Sequence, residues 1–186
     1  PTRYYDLTIV LVSIALMAIG FVIVTSASMP VAARLFDNPF HFAIRHGIYL
    51  GLATAAAIIV LQLPMQFWRV TNPYLLLLAI AMLVAVLVIG RSVNGSTRWI
   101  VVGPITIQAA EPAKLFLFCY LAGYLVRRYE EVTENLKGFI KPLIVFFVLA
   151  LLLLLQPDLG TVVVMLVTTI ALLFLAGAKL WQFFAL

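Results

Sequence analysis

Charge is what this chain has least of. Asp, Glu, Lys and Arg make up 10% of its 186 residues, against about 25% in soluble domains. Hydrophobic residues make up 65%, more apolar surface than a soluble fold could hide. Cysteine is nearly absent. Cys119 stands alone in the apolar run 115–121, which excludes an internal disulfide and a thiolate metal cluster and leaves the role of a small buried hydrophobe. The two histidines, His41 and His46, have no cysteine or acid at metal-ligand spacing, so no zinc site is expected. A phosphate-binding glycine loop, a dinucleotide fingerprint, a nucleophile elbow and a metalloprotease helix are all missing. The formal charge of +5 has no basic and aromatic cluster on a soluble module behind it, so nucleic acid is not an expected partner. The charge reads instead as membrane topology and contact with anionic lipids.

What is present is a series of apolar stretches of about 16 to 22 residues, the length of membrane-crossing helices rather than barrel strands. The expected fold class is all-α, a polytopic transmembrane helical bundle forming one domain over 1–186. Six full spans are expected at about 7–25, 48–63, 73–89, 112–126, 142–155 and 159–176, with a seventh beginning at 180. Pro73, Pro112 and Pro142 are read at or near helix starts, where a missing N–H costs nothing. Between the third and fourth spans, Asn94-Gly95 signals a turn, and 100–107 reads as two short extended pieces about a turn. Trp68, Trp99 and Trp181 flank spans, as interfacial aromatics do. Pro1 is not an initiator Met and the last residues open a new apolar segment, so the sequence is read as part of a larger membrane domain.

Lys and Arg in alternate loops set the orientation. Arg3, Arg69, Arg127, Arg128, Lys137, Lys141 and Lys179 fall on one side, and Arg34, Arg45, Arg91 and Arg98 on the other. Seven against four places the N-terminus in the cytoplasm. The loop after span three and the turn after span five then both lie at the outer face. That turn is the most informative string in the chain, Gln156-Pro157-Asp158-Leu159-Gly160-Thr161. It sets a carboxylate between two spans, where an acid is costly unless it meets water, protein or a ligand. Pro157 breaks one span and Asp158 can cap the next.

Arg98, Glu111, Lys114 and Asp158 all belong to the outer half and form the candidate substrate-binding set. Glu111 and Lys114 share a helix face. A purely structural account pairs Lys114 with Glu111 or with Asp158 and fixes helix packing. A functional account makes a site for an anionic head group, with Arg98 suited to bidentate phosphate contact and Lys114 acting as a point charge. Asp158 is expected at the outer end of span five, ionised, within reach of a cation such as Lys114 or of the N–H groups opening span six. No metal site is assigned. The sequence requires no cofactor and leaves room for a divalent cation.

These strings resemble the FtsW/RodA/SpoVE family. The carriers are Thr25-Ser26-Ala27-Ser28, Asn94-Gly95-Ser96-Thr97-Arg98-Trp99-Ile100, Ala110-Glu111-Pro112-Ala113-Lys114-Leu115 and the intact 156–161 string. Phe118-Cys119-Tyr120 and Ala176-Gly177-Ala178-Lys179-Leu180-Trp181 look like the cell-division branch rather than the rod-shape branch. The family usually shows Gln-Pro before the span-four glutamate. Here the pair is Gln108-Ala109, and the proline stands at Pro112 instead. The resemblance implies the N-terminal half of a ten-span peptidoglycan glycosyltransferase of the bacterial inner membrane. It would polymerise lipid II at the division site, with a class B penicillin-binding protein and other division-complex membrane proteins as partners. The family's catalytic aspartate belongs to a large outer loop beyond span seven, so none of these residues is assigned as catalytic. A lipid II transporter and a structural scaffold of the division complex stand as alternatives.

Overall fold

The computed structural model describes residues 5–93, 96–103 and 105–185. They form α1 (Leu7–Phe36), α2 (His41–Gln62), α3 (Met65–Ile89), β1 (Arg91–Val93), β2 (Ser96–Val102), β3 (Ile105–Gln108), α4 (Ala110–Arg127), α5 (Tyr129–Glu134), α6 (Leu136–Leu155), α7 (Leu159–Leu175) and α8 (Leu180–Phe184). By length and composition α1, α2, α3 and α6 can each cross a membrane, and α7 is a shorter apolar helix. The 18-residue α4 carries Glu111, Lys114 and Arg127 and is less apolar. The all-α expectation holds for the bundle, and among the described residues the strands are confined to 91–108.

Two prolines expected at helix starts lie inside helices. Pro73 is within α3 and Pro142 within α6. Proline leaves the carbonyl four residues back without its N–H donor. For Pro73 that carbonyl is Arg69, and the Asn72 side chain donates to it at 3.1 Å. For Pro142 it is Gly138, and the Tyr124 hydroxyl donates to it at 3.1 Å. A side chain replaces the missing bond in each case, so the helices continue and begin at Met65 and Leu136. Likewise α1 runs past 25 and through Pro30. The Thr25 and Ser28 hydroxyls bond back to the carbonyls of Phe21 and Thr25, so they do not compete for the helix. α2 starts at His41, ahead of the expected 48, where Asn38 bonds the Phe40 and His41 amides.

Two compact units divide the chain, Pro1–Pro64 and Met65–Leu186. In the first, α1 and α2 pack on each other, and His41 stacks on Phe36 at 4.0 Å between ring centroids. Only Ala32 and Ala43 of these helices are buried. Their apolar flanks are outward, as lipid-facing helices require.

The second unit holds the core. Leu76, Leu83, Leu117, Phe146, Leu149, Leu153 and Met165 pack α3, α4, α6 and α7 together. Ala79, Ala109, Ala110 and Ala113 are buried among them, and such small residues let helices approach closely in lipid. A second cluster, with Tyr124, Val132, Phe139, Leu143 and Leu173, closes the opposite end around α5. The strands make an antiparallel sheet in the order β1-β2-β3, with Val93 opposite Ser96 and Val102 opposite Ile105. The expected extended pair over 100–107 is β2 and β3, turning at Gly103 with φ 60°. The Asn94-Gly95 turn lies outside the described residues.

Candidate functional site at the sheet end of the second unit

The sheet and the α6–α7 turn meet through Arg98. Pro157 has no N–H and cannot extend α6, so the helix closes at Leu155 with the Gln156 and Asp158 amides both bonded to the Leu153 carbonyl at 3.0 Å. The turn exposes the main-chain carbonyls of residues 156 and 157 to β2. Arg98 donates from Nε to the Gln156 carbonyl at 3.3 Å and from an Nη to the Pro157 carbonyl. Its other Nη stands 3.9 Å from Asp158 Oδ1. One guanidinium therefore touches three successive residues, completing the end of α6 where a cation opposes the helix dipole.

Asp158 is buried, with 5% of its surface exposed. It is the N-cap of α7, and Oδ1 accepts from the Thr161 amide at 3.4 Å while Oδ2 accepts from the Thr161 hydroxyl at 2.8 Å. The expectation that Asp158 reaches the N–H groups opening the next helix is met. The cation beside it is Arg98. Lys114, one turn into α4, binds Glu111 at 3.0 Å instead. Of the four predicted residues, Arg98 and Asp158 come together through the turn, and Glu111 and Lys114 form a second, more exposed pair on the first turns of α4.

The chemistry available is recognition of an anion. Arg98 is half-buried, and two of its five N–H donors bond main-chain carbonyls, which leaves three that make no hydrogen bond among the described residues, those of one Nη lying in the ion pair with Asp158. Among the described residues Lys114 is bound only to the exposed Glu111. Among the described residues no group of three His, Cys, Asp or Glu could hold a metal ion.

Sequence reasoning gave no role to Gln156 or Thr161, although both stand in the string that drew attention to Asp158. Thr161 is three residues past an N-cap aspartate, a spacing that announces a side-chain bond across the first turn. Gln156 is fully buried and donates from Nε2 to the Leu83 carbonyl of α3 at 3.1 Å. A glutamine directly before a helix-ending proline, at the foot of a run of leucines, is the one signal that marked it.

A family described as FtsW/RodA/SpoVE cell cycle proteins matches residues 6–186. The chain belongs to the FtsW/RodA/SpoVE family. It is 76% identical over 184 residues to the "Probable peptidoglycan glycosyltransferase FtsW" of Pseudoalteromonas atlantica, across 99% of this chain and 38% of that protein. The same-named protein of Escherichia coli O157:H7 is 58% identical over 182 residues, across 98% of this chain and 44% of that one. The chain thus spans less than half the length of these relatives. Among solved structures, a chain from work on the structural coordination of polymerization and crosslinking by a peptidoglycan synthase complex is similar. Its TM-score is 0.80 at 30% identity, over 95% of this chain and 49% of that one. The rod shape determining protein RodA of Thermus thermophilus gives 0.79 at 30% identity, over 94% and 55%. This FtsW/RodA/SpoVE member is a multi-pass helical membrane protein.

Proposed function

We propose that this chain is the N-terminal part of a peptidoglycan glycosyltransferase that polymerises lipid II during septal wall synthesis. The observation that carries the reading is the cationic site at the sheet end, Arg98 against the 156–158 turn with Lys114 nearby in sequence on α4, in a chain so close to relatives named for that activity. The pyrophosphate of a lipid-linked sugar is the kind of anion that Arg and Lys at a membrane edge bind. Arg98 and Lys114 contact or steer that group, Glu111 restrains Lys114, and Asp158 organises the cavity through Arg98 without acting as the base. A divalent cation can accompany the pyrophosphate. The sheet end faces outward and the α5 connector faces the cytoplasm, following the seven-to-four distribution of basic residues.

The partner is a class B penicillin-binding protein, docked through its single transmembrane helix, with other division-complex membrane proteins around it at the division site. Support comes from the similarity to a chain of a peptidoglycan synthase complex that couples polymerization to crosslinking. The charges collect at helix ends rather than at mid-span, which favours surface chemistry over the midplane site of a transporter.

Full-length protein with lipid II in vesicles tests the reading. Glycan chains are expected, and Lys114→Ala should slow their formation while the protein stays folded. Lipid scrambling with no polymer would instead establish the transporter. Cysteine labelling of intact cells tests orientation: an impermeant reagent should reach Thr97→Cys and not Glu134→Cys.

A further inference from the structure

Gln156 is an uneconomical choice for stability. Its side chain is fully buried, Nε2 bonds the Leu83 carbonyl at 3.1 Å, and Oε1 has no partner among the described residues. A buried acceptor left unpaired costs free energy, whereas an apolar side chain of the same shape costs little. The surroundings are apolar, with Leu83 and Leu153 both in the core. Methionine, unbranched and of similar length, would fill this place without the orphaned oxygen. What methionine could not supply is direction.

The bond from Gln156 to Leu83 runs between the end of α6 and the interior of α3. Among the described residues it is the one side-chain hydrogen bond that ties the 156–158 turn to a helix other than α6 and α7, the two that the turn joins. Arg98 depends on that turn three times, at the carbonyls of Gln156 and Pro157 and at the Asp158 carboxylate. A turn that slid along the α6 axis or rotated about it would move both carbonyls and the carboxylate together, and the guanidinium would follow or let go.

We propose that Gln156 is a positioning residue for the anion site. Its amide fixes the turn to α3, so that Arg98 is held with its remaining N–H donors presented to a phosphate group. The role rests on the glycosyltransferase reading for its substrate, and on geometry alone for its mechanics. The specificity lies in the donor: only a group that offers a hydrogen to the Leu83 carbonyl can make the tether. A neutral glutamic acid has such a hydrogen and a carboxylate does not.

The test uses the full-length protein in vesicles, with spin labels at Val102→Cys and Leu159→Cys, both exposed, on a background with Cys119 replaced. The wild-type turn should give a narrow distance distribution and Gln156→Met a broad one, with Tm unchanged or raised. In lipid II polymerisation, Gln156→Met should raise KM and lower kcat/KM by about 10- to 100-fold, the size of effect that follows from a misplaced binding group. Gln156→Glu should recover activity at low pH, where the acid is neutral, and lose it as pH rises, a limb absent from the wild type. That variant also serves if Gln156→Met does not fold. Two results overturn the proposal. One is wild-type kinetics with a narrow distribution in Gln156→Met. The other is a loss of activity that only tracks a fall in Tm, with no recovery by Gln156→Glu. The distance measurement needs no turnover, so a protein that polymerises nothing sinks the glycosyltransferase reading while the labels still decide whether Gln156 holds the turn.

Discussion

Two fully buried glutamines stand at opposite ends of the second unit, and they are bonded differently. Gln182, in α8 at the connector end, donates from Nε2 to the Val132 carbonyl of α5 at 2.9 Å and accepts from the Lys179 amide at 2.8 Å. Gln156, at the sheet end, donates to Leu83 and has an unpaired Oε1 among the described residues. The same side chain is thus fully bonded at one end and half-bonded at the other. At the connector end the other polar bonds are also structural. Tyr124 caps the Gly138 carbonyl, and Arg127 reaches the Asn72 Oδ1 at 3.3 Å. At the sheet end the polar groups keep spare capacity, with Arg98 holding donors in reserve. Complete satisfaction marks a part of the fold that has only to persist, and the half-exposed donors that Arg98 keeps mark where a ligand can supply a partner.

The largest expected effect tests that contrast directly. Asp158→Asn keeps an oxygen for Thr161 but removes the charge beside Arg98. Arg98 stands in an ion pair with that carboxylate at 3.9 Å, so its loss should loosen the guanidinium, and a loss of roughly 10-fold or more in polymerisation is expected from a misplaced binding group, with expression near normal. Full activity in Asp158→Asn would break the comparison at its functional end.

The connector end should respond in stability instead. Gly138 packs so tightly on α5 that a Cβ there would overlap the backbone carbonyl of Glu131. A backbone carbonyl cannot swing aside as a side chain can, so Gly138→Ala should cost about 1–3 kcal/mol and lower Tm. Activity per folded molecule should remain near that of the wild type. A selective fall in kcat, with Tm intact, would mean that the connector takes part in catalysis and would erase the distinction between the ends.

Much of the bundle was legible because lipid imposes a strong pattern. Apolar runs located the helices, the 156–161 string located the turn, and 100–107 announced two extended pieces about a turn, which the fold pairs as β2 and β3. Boundaries failed at Pro73 and Pro142 for a reason that no local pattern holds. Proline signals a helix start only if its orphaned carbonyl has no other donor. The donor for Gly138 is Tyr124, on a different helix, and tertiary contacts of that kind have no sequence period. The site divided in the same way. Asp158 was visible as an acid between spans, and the Glu111–Lys114 pair followed from spacing on one helix. The Arg98 contact with the turn joins residues 58 to 60 positions apart, and only the fold brings them together. Gln156 lay inside the most informative string, yet its importance depends on the carbonyl of Leu83 in α3.

Tyr124→Phe sharpens this point with a smaller change. It removes one hydroxyl and leaves the Gly138 carbonyl without either a side-chain or a backbone donor, since Pro142 has no N–H. An unsatisfied buried carbonyl costs about 1–3 kcal/mol. The phenylalanine ring still fills the cluster around Val132 and Phe139, so the effect should be at the lower end of that range. Tm of the purified protein in detergent checks it. Combining Tyr124→Phe with Pro142→Ala restores the backbone N–H, and the double variant should recover most of the loss. No recovery would show that the hydroxyl is not the substitute for the missing helix bond.

The smallest effect concerns the exposed charges around α5. Glu131 binds Arg128 within the connector and Lys141 of α6 at 3.3 Å. The hydrogen bond from Lys141, with that from Arg128 behind it, holds the Glu131 carboxyl below its ordinary value of 4.5. A carboxyl with a depressed folded pKa contributes stability that is fully present above the unfolded pKa and is lost as pH falls through the folded one. The contribution should be constant through neutral pH and disappear in the acid range below about 4.5. Because the pair is exposed, salt should weaken it as well. Tm of the wild type should therefore exceed that of Glu131→Gln by a small margin at pH 7, and the two curves should merge as pH falls. High salt should narrow the margin at neutral pH. A gap that survives acid and salt unchanged would assign the effect to packing. The connector end would then owe nothing to its surface charges, and its persistence would rest on Gln182, Tyr124 and the apolar cluster between them.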